Sequence, residues 1–303
     1  MKAFKSILQF QKEFSTDEKC RLYLEQQRWN GEPCCPFCAS VKVKRISKSK
    51  RFQCNEKECR KQFSVTVGTI YENTKISLTK WFLAMYILSN HSKGISSLQL
   101  ASWLDVTQKT AWFLNHRIRV MLTDNEPSLL NGIVEVDETY IGGKLKNKHV
   151  KKRKETETLD NKTMVFGAVD RRAGKVIARI VNNTKAETLV GTIRETIEKG
   201  SVMVSDENKA YNQLSKEYLH ATVNHSKNEY VRDLAHTNSI EGFWSLLKRQ
   251  IIGIHHFVSP KHLQRYCDEA VFRYNAKKTT QDIRFINALT NCEGRLTYID
   301  LIK

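Results

Sequence analysis

The stretch Ile133-Val134-Glu135-Val136-Asp137-Glu138-Thr139 carries the decisive pattern in this chain. Read as a strand over 132–139, its alternation sets Glu135, Asp137 and Thr139 on one face and Val134 and Val136 on the other. A strand with one apolar face belongs to a packed sheet, and carboxylates on its second face need a reason beyond solubility. Downstream, the apolar pattern predicts strands at 164–170 and 176–181, a helix over 186–199, a strand Val202-Met203-Val204-Ser205-Asp206 and a short strand over 221–223. A long helical tail follows from Ser239, in which Ser259-Pro260 reads as an N-cap with proline at the first helical position. The order is a mixed α/β one with a central sheet.

Upstream of this sheet the texture changes twice. Residues 78–122 are helical in pattern, with Trp81, Phe82, Met85 and Leu88 on one face, and Asp124 to Pro127 reads as a linker. Residues 15–70 are rich in cysteine and turn residues. The expected organisation is therefore 15–70 as a small metal-stapled module, 76–123 as a helical region, 130–280 as the α/β domain and 281–303 as a C-terminal tail.

The 303 residues hold 50 Lys and Arg against 32 Asp and Glu, a formal charge of +18 that favours phosphate-bearing partners. No stretch approaches the roughly 20 apolar residues of a membrane span, and Met1-Lys2-Ala3-Phe4-Lys5 does not open a signal peptide. The expected place is the cytoplasm, at the nucleoid, with nucleic acid and no membrane as partner. Lys144 to Lys154 is a run of basic residues, including Lys144, Lys151, Lys152 and Arg153, that reads as an exposed loop suited either to clamping DNA or to plain solvation.

Cys35-Pro36-Phe37-Cys38 and Cys54-Asn55-Glu56-Lys57-Glu58-Cys59 supply two cysteine pairs with zinc-site spacing, although the second gap is wider than a two-residue knuckle. Four thiolates close a tetrahedral shell, so zinc here would be structural, with Phe52 and Phe63 packing beside it. Cys34 competes with Cys35, which is preferred for its two-residue gap; free buried thiols are the alternative. Ile95 to Leu122 fits a helix-turn-helix broken at Asp105-Val106-Thr107, whose second helix would carry Gln108, Lys109, Thr110 and Trp112 toward a groove. Lys109, His116, Arg117 and Arg119 favour DNA, while an ordinary helical hairpin has the same apolar pattern.

Asp206 ends a buried strand, a common position for active-site groups in α/β sheets. Glu241 stands near the start of an amphipathic helix in His236-Thr237-Asn238-Ser239-Ile240-Glu241-Gly242-Phe243-Trp244. Two strand carboxylates and one helix carboxylate suit a pair of hard divalent cations, which is what in-line attack on a phosphodiester requires. Lys248, about two helical turns beyond Glu241, would hold a phosphate nearby. Glu135, Glu138 and Asp170 are local competitors that spacing does not separate.

These residues resemble the zinc-ribbon DDE transposases of bacterial insertion sequences, in particular the ISXO-like group. The resemblance rests on Phe63-Ser64-Val65-Thr66-Val67-Gly68-Thr69-Ile70, Val136-Asp137-Glu138-Thr139-Tyr140-Ile141-Gly142-Gly143-Lys144, Ser205-Asp206-Glu207, and the His236 to Trp244 segment continued by Ser245-Leu246-Leu247-Lys248-Arg249. A last stretch, His255-His256-Phe257-Val258-Ser259-Pro260-Lys261-His262-Leu263-Gln264-Arg265-Tyr266, runs on to Phe272-Arg273-Tyr274-Asn275, so nearly the whole chain is covered in order. The resemblance implies a ribonuclease-H-like catalytic domain in which Asp137, Asp206 and Glu241 bind two magnesium ions (Mg2+), beside the structural zinc (Zn2+). It implies nicking at element ends, attack of the freed 3′-hydroxyl on target DNA, recognition of terminal inverted repeats, and a homo-oligomer in the synaptic complex. It also makes Asn238 a rival third ligand, since some members of the wider group use asparagine; Glu241 is preferred because a carboxylate binds a hard cation better. His236 would orient the site or bind phosphate, or simply cap a helix, and Arg249 joins Lys248 on the DNA side. Two other classes stay open: a non-catalytic DNA-binding regulator, and a nuclease that cuts but never joins.

Overall fold

Helix starts in the N-terminal half are set by hydroxyl caps. Ser6, Thr16, Ser77, Ser96 and Thr107 each accept the backbone N–H three residues on, and each opens a helix. The helices are α1 (Ile7–Glu13), α2 (Asp17–Trp29), α3 (Leu78–Asn90), α4 (Ser97–Leu104) and α5 (Gln108–Met121). The computed structural model describes residues 4–47, 49–143, 162–183, 185–205, 209–214, 216–222 and 236–303. Among these no helix is long and apolar enough to cross a membrane. The chain divides into two units, one of residues 1–91, 95–122 and 279–303, the other of 92–94 and 123–278.

In the first unit a small antiparallel sheet, β1 (Val43–Arg45), β2 (Phe52–Cys54) and β3 (Gln62–Phe63), follows α2. Too short to bury a core of its own, it stacks Phe52 on Phe63 at 5.6 Å and sets the edge of Trp29 on Phe52 at 5.1 Å. The α4 to α5 turn places Asp105 in the left-handed region (φ 49°), which breaks one helix and lets Thr107 start the next.

The second unit is built on a five-stranded sheet of order β6-β5-β4-β7-β8: β4 (Ile133–Gly142), β5 (Lys162–Asp170), β6 (Lys175–Val181), β7 (Val202–Ser205) and β8 (Leu219–Thr222). The β6–β5 and β5–β4 pairs are antiparallel, whereas the β4–β7 and β7–β8 pairs are parallel. The expected alternation holds. Val134, Val136, Phe166 and Ala168 bury one face under α6 (Ala186–Arg194) and Tyr211, while Ile141, Val165, Val169 and Val176 bury the other. That second face is covered by α7 (Asn238–Gln250), a π-helical turn at Ile251–His255, and α8 (Pro260–Asn275), which starts at Ser259 with proline in its first turn as the sequence predicts. α6 stops short of the expected Lys199 because Leu130 bonds to the backbone of Thr196 and Glu198 and draws that segment into a bridge.

β6 is an edge strand, and amides from α8 cover its free backbone. Asn275 accepts from Val176 N at 2.7 Å and donates to Val176 O at 3.0 Å; Gln264 accepts from Ile180 N at 2.8 Å and donates to Ala178 O at 3.0 Å. Each side chain imitates a neighbouring strand, which blunts the edge against pairing with other chains.

The C-terminal residues are not a tail. α9 (Gln281–Thr290) and α10 (Tyr298–Ile302) belong to the first unit, where Phe285 is fully buried against Phe10, Phe14 and Phe82. Burying that aromatic cluster favours docking the segment over leaving it in solvent.

Candidate active site and zinc-ribbon cysteines

The acid face of β4 lies under α7, and its two carboxylates meet the helix differently. Glu135 is 0 % exposed. Its Oε2 accepts the backbone N–H groups of Ser239 at 2.8 Å and Ile240 at 3.0 Å, while Oε1 accepts from Arg171 Nε at 2.5 Å and lies 3.3 Å from His236 Nδ1. Arg171 also donates to the His236 carbonyl. The N-cap residue Thr237 makes no side-chain cap bond of its own. A strand carboxylate thus satisfies two of the orphan donors of the helix and complements its positive end.

Asp137, two residues on and only partly buried, accepts from Trp244 Nε1 at 2.9 Å through Oδ2. Its register partner on β5 is Gly167. A Cβ at Gly167 would stand 2.5 Å from the Trp244 ring and 2.9 Å from Ile240 Cδ1, so the missing side chain is what lets the indole lie on the sheet. The other acids near the strand have separate partners: Glu138 takes the Tyr211 hydroxyl on the opposite face, and Asp170 accepts from Ala173 N at 2.9 Å in the β5–β6 turn.

On α7, Ile240, Phe243, Trp244 and Leu247 are buried, whereas Asn238, Glu241, Ser245 and Lys248 are exposed. With 3.6 residues per turn, Glu241 lies about 60° and Lys248 about 40° around the helix from Trp244, against about 120° for Asn238. Glu241 and Lys248 therefore border the edge that meets Asp137. Thr237 Oγ1 donates to Glu241 Oε1 at 3.1 Å, and Arg249 donates to Ser245 Oγ at 2.7 Å. Asp206 lies outside the described residues. The strand that leads to it ends at Ser205, whose hydroxyl is 2.8 Å from His220 Nε2, and burial pushes that imidazole below its ordinary value.

The expected DNA contacts are sorted by the structure. Lys109 is exposed at the start of α5, with its ammonium 5.0 Å from the Tyr298 ring centroid, and Gln108 is exposed beside it. Arg117 requires correction: it is 6 % exposed, donates to the carbonyls of Ile70 and Glu72, and sits over Trp81 at 4.9 Å and Phe113 at 5.2 Å. His116 and Arg119 are buried as well. The last half of α5 is enclosed on all sides, so its cations hold the fold and do not face a groove. Lys144, Lys151, Lys152 and Arg153 lie outside the described residues.

The four ribbon sulfurs converge. Cys35 Sγ is 3.7 Å from Cys59 Sγ, Cys38 Sγ is 3.6 Å from Cys54 Sγ, and all four lie within 4.8 Å of one another. Zinc bonded to four thiolates at about 2.3 Å requires sulfur separations of roughly 3.8 Å. Cys34, the competing ligand, is not in the cluster. The wider gap of the second pair is absorbed by its turn. Cys59 and Arg60 both bond back to Glu56 O, and Arg60 (φ 50°) follows Cys59 as Ala39 (φ 56°) follows Cys38. Two knuckles of unequal length thus end alike, in a residue with left-handed backbone.

Trp244, Gly167, Glu135 and Arg171 are site residues that spacing does not assign. A glycine inside an apolar strand was the available signal, since it often marks a close approach.

Comparison with known proteins identifies both regions of the chain. Residues 129–275 match the ISXO2-like transposase domain, and residues 15–62 match the transposase zinc-ribbon domain. The chain is 28 % identical over 272 residues to an uncharacterised protein in transposable element ISH50 of Halobacterium salinarum, covering 84 % of this chain and 90 % of that one. It is 27 % identical over 116 residues to an uncharacterised transposase-like protein of Haemophilus influenzae, covering 38 % of this chain and 93 % of that one. Among solved structures, a simian T-cell lymphotropic virus intasome in complex with PP2A regulatory subunit B56 gamma aligns at 13 % identity over 60 % of this chain and 66 % of that one, with a TM-score of 0.28, too loose to bear on the fold. With both domains matched in order and the four cysteines gathered as a ribbon requires, the chain belongs to the ISXO2-like insertion-sequence transposases with an N-terminal zinc ribbon.

Proposed function

We propose that this chain cuts the ends of its element and joins the freed 3′-hydroxyl to target DNA, with Asp137, Asp206 and Glu241 as ligands of two magnesium ions. The observation that carries the reading is the tie between β4 and α7. Glu135 and Asp137 both take N–H groups from the helix that bears Glu241, so a strand carboxylate and a helix carboxylate are held in fixed relation. Carboxylates suit a hard cation, and two such ions would activate the attacking oxygen and stabilise the leaving one.

The chain's own residues position the rest. β7, which leads into Asp206, runs parallel beside β4. The order β6-β5-β4-β7-β8, with an acid on the central strand and a helix packed across it, supports a ribonuclease-H-like domain. Glu241 is preferred to Asn238 because it stands nearer to the Asp137 edge and is oriented by Thr237. Lys248 and Arg249, exposed further along α7, would hold a DNA phosphate, and His236 helps to seat Glu135 at the helix start. The ribbon, stapled by zinc, and the α4–α5 pair with Lys109 would read the terminal inverted repeats, and the basic run with Lys144, Lys151, Lys152 and Arg153 would clamp DNA. Assembly of a homo-oligomer on paired ends, at the nucleoid, follows from this reading.

Strand cleavage of a labelled element-end duplex in magnesium tests the residue assignments. Asp137→Ala, Asp206→Ala and Glu241→Ala each abolish cutting while binding persists. Loss of cutting in Asn238→Ala but not in Glu241→Ala reassigns the third ligand. Folded wild type that binds ends and never cuts overturns the catalytic reading in favour of a DNA-binding regulator.

A further inference from the structure

We infer that Trp244 is a positioning residue for the metal-facing carboxylate, and that Gly167 is the floor on which it works. The inference rests on the reading of Asp137 as a magnesium ligand and adds what aims that ligand. Trp244 is 4 % exposed, and its polar atom meets Asp137 Oδ2 at 2.9 Å. A buried indole N–H needs an acceptor, and this one has found a carboxylate on the strand beneath it. The last side-chain torsion of an aspartate is a soft, two-fold one. The N–H fixes that rotation, which sets the direction in which the remaining lone pairs point.

The indole reaches this position because β5 offers no side chain there. Gly167 is the register partner of Asp137, and an added Cβ would approach two ring carbons of Trp244 to 2.5 Å. The neighbours of Gly167 on the same face are Val165 and Val169, both buried against α7. A lone gap in an apolar row, filled by an indole, gives a fixed seat. Trp244 also stands on the helix edge that borders Glu241 and Lys248, so it locates the helix acid as well as the strand acid. Partners that orient a ligating carboxylate typically change metal affinity by about 10- to 100-fold when removed.

The test is Mn2+ binding to the full chain, followed by the paramagnetic signal of the free ion, together with the thermal unfolding midpoint of each variant. Trp244→Phe keeps the ring and removes the N–H; it is expected to weaken Mn2+ binding about 10-fold or more while the chain stays folded. Gly167→Ala, which removes no polar group, is expected to weaken binding in the same direction by displacing the indole. In the double variant the second change adds little, because the bond is already gone. A lowered midpoint with unchanged Mn2+ affinity in Trp244→Phe means that the indole only packs, and overturns the inference. Should Trp244→Phe fail to fold, unchanged affinity in Gly167→Ala overturns it instead. Asp137→Ala separates the two levels: if it leaves Mn2+ binding intact, the magnesium reading of Asp137 itself falls, and with it the role of Trp244.

Discussion

In the ribbon, one turn presents Cys35 and Cys38 and another presents Cys54 and Cys59, and the sulfurs meet across them over 24 residues (Cys35 with Cys59) and 16 residues (Cys38 with Cys54). In the sheet unit, Trp244 reaches Asp137 across 107 residues, and every geometric detail depends on how a helix lies on a strand. The first site is local: its ligands are also its scaffold, and the small sheet around it has little else to hold it. The second is layered, since its carboxylates are placed by a buried sheet and by N–H groups borrowed from the helix above. A local site therefore depends on its metal for its fold, whereas a layered one should hold its shape before metal arrives.

Metal removal breaks that comparison most directly. Chelation of zinc, or Cys54→Ser, is expected to unfold the ribbon, because structural zinc in comparable small domains contributes on the order of 10 kcal/mol. Hydrogen exchange should then accelerate at the amides of 52–54 and stay slow across 164–169. Parallel loss of protection in both regions would show that the sheet unit depends on the ribbon.

The layered site has its own keystone. Glu135→Ala leaves Arg171 without its carboxylate and two helix N–H groups without an acceptor, so urea unfolding should show a loss of about 3–5 kcal/mol. Glu135→Gln should cost less, as it keeps an acceptor for the helix. A smaller effect is expected from Gly167→Ala, where overpacking against Trp244 costs about 1–3 kcal/mol. The smallest concerns the sheet edge: Asn275→Ala removes two hydrogen bonds to Val176 from an exposed residue and should lower stability by about 1 kcal/mol while promoting self-association, measured by sedimentation.

The same contrast explains what could be read in advance. The cysteine spacing, the alternation at Val134 to Asp137 and the Ser259-Pro260 helix start each depend on neighbours a few residues away, and each appears in the structure at its expected place. Burial that arises from distant packing was not visible. Arg117 and His116 looked like a charged helical face, yet residues from three other segments (Ile70, Trp81 and Arg295) surround the guanidinium. Phe285 read as part of a tail because its partners Phe10, Phe14 and Phe82 come from the other end of the chain. Glu135 could not be told from Asp137 by type or by parity. One meets the start of a helix and is fully buried, whereas the other meets an indole and stays partly open.

Strand joining is the most direct measurement of the central claim. A labelled element-end duplex with a free 3′-hydroxyl, incubated with the full chain, a target plasmid and magnesium, should become covalently attached to the plasmid. A 3′-deoxy end should fail to join, as should Asp137→Ala with the normal end. Cleavage of the duplex with no joined product from the 3′-hydroxyl end would contradict strand transfer and leave a nuclease in its place.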